Sequence, residues 1–182
     1  MSSADNNFTI DFTNAANKFN LIKKPLQQLI GGEIHSLETN SKSINPLDSK
    51  YGFDLLQNDT IGISSRIQPT SRSWDTFTIR YLRSSGLRTE YVKRVIAIAI
   101  DDIYPKWTSQ AYTNLNDTKL ISIGVVNTKE LFENIVAYIN KYGLFEDSRN
   151  DIYINTNKID NNKFIVVKWK YLGDSCKILR YK

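Results

Sequence analysis

The sequence predicts an α/β (α+β) fold, a mixed central sheet flanked by helices with antiparallel strands at the C-terminal end. Three observations carry this expectation. Apolar residues have helical spacing near the N-terminus and again over Leu131–Ile139. Between these stretches Thr60–Gln68 alternates Ile61, Ile63 and Ile67 against Gly62, Ser64 and Arg66, the period of a strand with one buried face. Hydrophobic residues make up 41% and charged residues 24% of the 182, which suits one globular domain burying roughly two-thirds of its unfolded surface.

The elements follow in order. Phe12, Ala15, Ala16 and Phe19 fall on one helical face, Pro25 suits the first turn of a second helical stretch, and Gly31-Gly32 stops it. Residues 36–50, with Asn45-Pro46, read as a loop. Tyr51–Leu56 reads as a short strand, Gln57-Asn58-Asp59 as a turn and Thr60–Gln68 as the second strand of a hairpin. Pro69–Ser73 interrupts the pattern. Thr76–Ile79 favours a strand within residues 74–83, and Ser84-Ser85-Gly86 turns the chain. Residues 88–94 are expected as a short helix leading into Val95–Ile100, a continuous apolar run that reads as a buried central strand ended by Asp101-Asp102. Tyr104-Pro105 opens a connection.

Ile121–Val126 is a further strand. Asn127 then caps a helix over about residues 127–142, with Glu130 completing a capping-box pattern and Gly143 stopping it. Ile152–Asn155, Phe164–Tyr171 and Lys177–Tyr181 read as antiparallel strands, with a turn at residues 157–162. Residues 8–142 would form the core of a single domain spanning 1–182, and residues 143–182 a C-terminal strand extension.

Composition removes several chemistries. Cys176 is the only cysteine and His35 the only histidine, so an intrachain disulfide, a cysteine-built zinc site and paired-histidine metal sites are excluded. The opening MSSADNNFTIDF has neither a basic start nor a long apolar run, and Val95–Ile100 is far too short to span a bilayer. A cytoplasmic protein without a membrane partner is the expectation. Abundant Asn, Ile, Lys and Tyr fit AT-rich, microbial coding.

The formal net charge of +5 is concentrated. Arg66, Arg72, Arg80, Arg83, Arg88, Lys93 and Arg94 face only Asp75 and Glu90 within residues 66–94. That segment carries the whole surplus, and six of its seven cations are arginine, whose planar fork matches phosphate oxygens. Trp74, Phe77 and Tyr81 are interleaved. The stretch is either a solvated basic face with a few core aromatics or a polyanion-binding surface.

A helix, then Gly52-Phe53-Asp54 on one strand, then a hairpin turn and Ser64-Ser65-Arg66 on the next, resembles the core of the PD-(D/E)XK superfamily, the restriction-endonuclease-like nucleases. The resemblance covers roughly residues 12–140. It implies an aspartate and an acid-x-lysine pair that hold Mg²⁺ and stabilise charge on a phosphate. Asp54 takes the aspartate position and becomes the metal-ligand candidate. The acid-x-lysine pair aligns with Gly62 and Ser64 or, shifted by two, with Ser64 and Arg66. Asp54, Ser64 and Arg66 are therefore the catalytic candidates, with Asp59, Glu33 or Glu38 as possible helpers. One carboxylate is a poor Mg²⁺ site, so the resemblance implies a nucleic-acid-binding module, with DNA as partner, whose cutting site is degraded, in a bacterial restriction or defence system. Arg66, Arg72, Arg80, Arg83, Arg88 and Lys93 are its phosphate contacts. The alternatives are an active Mg²⁺-dependent endonuclease in which Asp54 shares the metal with an acid such as Glu33 or Glu90, and a non-enzymatic subunit or inhibitor whose basic tract meets an acidic protein.

Other residues read more simply. Trp74 is either a base-stacking platform or a core residue, Asp101-Asp102 a strand-end turn, His35 a loop residue without an evident partner and Cys176 a thiol among terminal strands. Lys168, Lys170 and Lys177 would extend the basic surface or protect a strand edge.

Overall fold

A computed structural model describes residues 3–37, 51–83, 85 and 89–181, with side chains from residue 17 onward. It is a mixed α+β fold with two sheets. The first helix, α1 (Ser3–Ile30), is continuous through Pro25, where two helical stretches were expected. Pro25 removes one intrahelical N–H. Burial of Ile22 and Leu26, 1% and 0% exposed, holds the last turns on the sheet. Gln57 takes up the carbonyls at the helix end, its Nε2 donating to Ile30 O and Gly31 O at 2.9 Å each.

Two short strands, β1 (Ile34–Ser36) and β2 (Leu55–Gln57), and the longer β3 (Ile61–Pro69) follow. The predicted hairpin is present, Leu55 pairing with Ile63 and Gln57 with Ile61. Its first strand is shorter than Tyr51–Leu56, and β1 adds a partner, so His35 lies on a strand rather than in a loop. The loop reading for residues 38–50 and the turn reading at Ser84 and Gly86 lie outside the described residues.

Strand β4 (Thr76–Leu82) leaves the first sheet, and helix α2 (Glu90–Ala99) returns the chain to β5 (Trp107–Thr113), which pairs parallel with β3. Two expectations fail here. Residues 95–100 are not a central strand but the C-terminal half of α2 and its end, and the helix begins at Glu90. The run of alternating Ile and Ala satisfies two periods at once. Tyr91, Val95 and Ile98 pack on the core at helical spacing, while Ile96 and Ile100 are 40% and 67% exposed. The buried strand at this point of the chain is β5, written Trp-Thr-Ser-Gln-Ala-Tyr-Thr, for which no strand was expected. Thr108, Tyr112 and the amide oxygen of Gln110 are buried but hydrogen-bonded: Thr108 to Thr128 at 2.9 Å, Tyr112 to Thr76 at 2.7 Å, Thr78 to Gln110 Oε1 at 3.1 Å.

Strand β6 (Leu120–Asn127) pairs antiparallel with β5, and α3 (Thr128–Tyr142) follows directly. Asn127 caps it as its spacing predicts, accepting from Glu130 N at 3.2 Å. The C-terminal hairpin of β7 (Ile152–Thr156) and β8 (Lys163–Lys168) is antiparallel as expected, and β4 joins it to form a three-stranded sheet ordered β4-β8-β7. The strand reading of Phe164–Tyr171 runs too far: Trp169–Ser175 is a 3-10 segment. It redirects the chain so that β9 (Lys177–Arg180) completes the other sheet, ordered β1-β2-β3-β5-β6-β9.

Each face of the six-stranded sheet has its own core. Ile22 and Leu26 of α1 pack on Ile34, Leu55, Ile63, Ala111, Ile123 and Val125 of the sheet. The opposite face packs Tyr112 and Val126 against Phe77, Ile79, Ile165 and Val167 of the second sheet, Phe132 and Ile135 of α3, and Trp169. Among the described residues no helix is long and apolar enough to cross a membrane.

Candidate functional site

On that second face the apolar packing gives way towards β3. A cavity of about 350 Å³ opens between the two sheets and α2. Strands β3 and β5 form its floor with Ser64, Arg66, Thr108 and Gln110, β4 supplies Thr78 and Arg80, with Arg83 just beyond it, and α2 supplies Glu90, Lys93 and Arg94. The turn at Gly52 and Asp54 closes another side.

The walls are stitched together. Arg94, only 5% exposed, donates from Nη1 to Tyr51 O at 2.6 Å and from Nη2 to Gly52 O at 3.1 Å, tying α2 to the turn. Gly52 has φ 64°, and a Cβ there would collide with Arg94 Nη2, so glycine permits this approach. Burial pushes the Arg94 guanidinium below its usual pKa, against the opposing pull of Glu90 and Asp54. Glu90 accepts from Arg80 N at 3.3 Å and lies 3.5 Å from Arg66 Nη2, linking α2 to β4 and β3. Arg66 and Arg80 also sit over the Phe164 ring, at 5.6 and 5.7 Å. Arg80 is held below its usual pKa, first by burial and then by repulsion from Arg66 and Arg83. That crowding of like charge is what an anion would relieve.

Gln110 is the most buried polar group of the cavity, at 1% exposure. Arg66 Nη1 donates to Thr78 Oγ1 at 3.1 Å, and Thr78 Oγ1 donates to Gln110 Oε1 at 3.1 Å. In this arrangement the threonine hydroxyl accepts from the guanidinium and passes its own proton to the amide oxygen. The amide Nε2 is buried and has no hydrogen-bond partner among the described residues. The Nε atoms of Arg80, Arg83 and Arg94 are in the same condition. Such donors are costly unless something accepts from them.

Six residues singled out in the sequence, Asp54, Ser64, Arg66, Arg80, Arg83 and Lys93, line this cavity together. Arg72 does not. Its guanidinium stacks on Trp74, 4.4 Å from the ring centroid, and Trp74 is 50% exposed rather than a core residue. Arg88 and Glu38 lie outside the described residues. Glu33 and Asp59 are also absent from the cavity, because they sit beside His35 at the other end of the β2–β3 hairpin, 3.6 and 3.7 Å from its Nε2. Lys168, Lys170 and Lys177 lie elsewhere, contacting Arg149 O, Asp151 and Leu29 O. Cys176 is buried, and burial pushes its thiol up to about 12, which disfavours the reactive thiolate. Asp101 has φ 53° and ends α2, and Asp102 accepts from Ile103 N, both as turn residues.

The residues present are a poor fit for Mg²⁺. Asp54 Oδ2 accepts from Ser65 N at 2.5 Å, and Glu90 is engaged by Arg66 and Arg80. Five cations outnumber these two carboxylates around the cavity. Among the described residues no three of His, Cys, Asp and Glu gather as a metal site. At position 62 no acid fits at all: a Cβ there would come within 2.5 Å of the Phe53 ring. Glu90, named as an acid that could share a metal with Asp54, also lines the cavity, whereas Gln110 and Arg94 were not among the residues picked as a site. Arg94 was visible within the basic segment, and nothing in the sequence marks Gln110.

No protein-family model, no curated protein and no solved structure matches this chain.

Proposed function

We propose that this chain binds nucleic acid through the cationic cavity, on a restriction-endonuclease-like fold whose site no longer cuts. One observation carries the reading. Arg66, Arg80, Arg83, Lys93 and Arg94 converge from β3, from β4 with the residue after it, and from α2 on one recess with only two carboxylates, a surplus of three positive charges. Phosphate is the biological anion that matches clustered arginine forks. The position of Asp54 supports the family reading: it precedes β2, and its carboxylate reaches the backbone of β3 between Ser64 and Arg66. The substitution of the acid-x-lysine pair by small and basic residues supports loss of cutting. A bacterial restriction or defence system is the setting this implies.

Fluorescence anisotropy with labelled DNA tests the reading. At most one phosphate per cation would make log K fall against log salt with a slope no steeper than about −3.5 to −4.5. Lys93→Ala is expected to flatten that slope by roughly 0.7–0.9. A protein that fails to bind DNA at low salt is not a nucleic-acid binder. Mg²⁺-dependent cleavage that disappears in Asp54→Ala would overturn the claim that the site is inactive.

A further inference from the structure

The cavity gathers five cations and two carboxylates in one walled recess. Its floor is the inner pair β3 and β5 of a six-stranded sheet. β4, α2 and the Gly52–Asp54 turn wall it, and Glu90, Thr78 and Arg94 bond those walls to one another. At the floor, Gln110 offers a buried donor with no partner among the described residues, and its own oxygen is already committed to Thr78. It can therefore take an acceptor oxygen and nothing else. The surrounding surplus is three positive charges.

An internal phosphodiester suits this recess badly. It carries one charge, and both of its ester oxygens continue into nucleosides that must leave the recess on two sides. A terminal phosphate monoester carries close to two charges at neutral pH and has three unsubstituted acceptor oxygens on a single stem. It enters by one path, spreads its oxygens over several donors, and answers the charge surplus better.

We infer that the cavity is a subsite for a phosphate monoester at the end of a nucleic-acid strand, seated among Arg66, Arg80 and Arg94 and taking its deepest hydrogen bond from Gln110 Nε2. This rests on the nucleic-acid reading above and narrows it to strand ends. Because Nε2 is shielded from solvent in this structure, the incoming oxygen reaches it by displacing a neighbouring side chain. Arg66, which bonds Thr78 directly beside the amide, is the group placed to move.

The test uses the whole chain and one single-stranded DNA sequence, labelled internally, in four forms: 5′-phosphorylated, 3′-phosphorylated, unphosphorylated and circular. A phosphorylated end is expected to bind at least roughly tenfold tighter than the hydroxyl-ended and circular strands, the scale of one hydrogen bond to a charged group. Gln110→Leu is expected to erase that preference. Equal binding of all four forms by the wild-type chain would overturn the end-binding inference and leave the nucleic-acid reading standing. Absence of binding to every form at low salt would remove both. A nucleoside 5′-monophosphate that competed as strongly as the phosphorylated oligonucleotide would overturn a strand end as the source of the monoester. The wild-type comparison alone decides these outcomes, so they do not depend on the folding of the variant.

Discussion

Strands β3 and β5 present two opposite environments from adjacent residues. Ile63 and Ala111, each 0% exposed, lie in the apolar layer beneath α1. Their chain neighbours Ser64 and Gln110 turn to the other face and line the cationic cavity with Arg66. The alternating pleat makes this division unavoidable: a strand between two layers must give each of them every second residue. What differs is the use. The α1 face is filled with side chains that need nothing but each other. The cavity face holds charged groups at close quarters and leaves four buried nitrogen donors there without partners among the described residues. Burial of that kind opposes folding, so the α1 face and the apolar half of the second face must supply the stability that the cavity withholds.

The largest effect should come from the apolar side. Ile63→Ala removes a fully buried side chain from the layer under α1 and is expected to cost about 2–5 kcal/mol in denaturant unfolding. DNA affinity of the protein that remains folded should not change, since Ile63 points away from the cavity. A loss well under 1 kcal/mol would show that the α1 layer does not carry the fold, and would break the comparison.

The same contrast explains what could be read in advance. Alternation in Ile61–Ile67 exposed the hairpin, because one of its faces is apolar and the other is not. Asn127 and Glu130 marked the start of α3 because capping is local chemistry. Strand β5 was illegible: Thr108, Gln110 and Tyr112 are polar, and their burial depends on Thr128, Thr78 and Thr76, partners that only the tertiary fold supplies. Residues 95–100 misled for the converse reason, since their alternation of Ile and Ala fits a strand while their burial follows a helix. The cavity was half legible. Its cations stand out as a basic run, and Asp54 as a family position, but the element that makes the floor was the one not foreseen. Gln110 could not be found without it.

A second, smaller effect concerns Tyr112, which lies on the second face but inside its apolar half. Its hydroxyl donates to Thr76 O at 2.9 Å, and burial pushes the phenol up to about 12. The folded state therefore holds this proton more tightly than the unfolded chain, whose tyrosines titrate near pH 10. The stabilisation is complete below about pH 10 and is lost as the pH rises through about 12, amounting to roughly 2–3 kcal/mol. Cys176 is also raised to about 12 and adds to the loss, which for the thiol begins lower, near pH 9. Tyr112→Phe isolates the phenol: urea unfolding at about pH 9 and about pH 11 should show a smaller decline for the variant than for the wild type. An identical decline would assign the alkaline sensitivity to other groups.

The smallest effect sharpens the comparison most, because it acts on charge with little change in packing. Glu90 stands among the cavity cations as their internal counter-ion, accepting from Arg80 N and pairing with Arg66 across 3.5 Å. Glu90→Gln keeps an acceptor for the Arg80 N–H, releases Arg66 and raises the positive surplus by one. The ion pair is partly exposed, so its removal should change stability by less than about 1 kcal/mol. DNA binding should tighten by roughly two- to fivefold at low ionic strength, with the gain shrinking as salt is added. That result would mean Glu90 holds the place of a phosphate in the unliganded protein. Weaker binding would assign it the opposite part, as the group that aims Arg66 at the ligand, and the cavity would then depend on its acid for geometry as well as for neutrality.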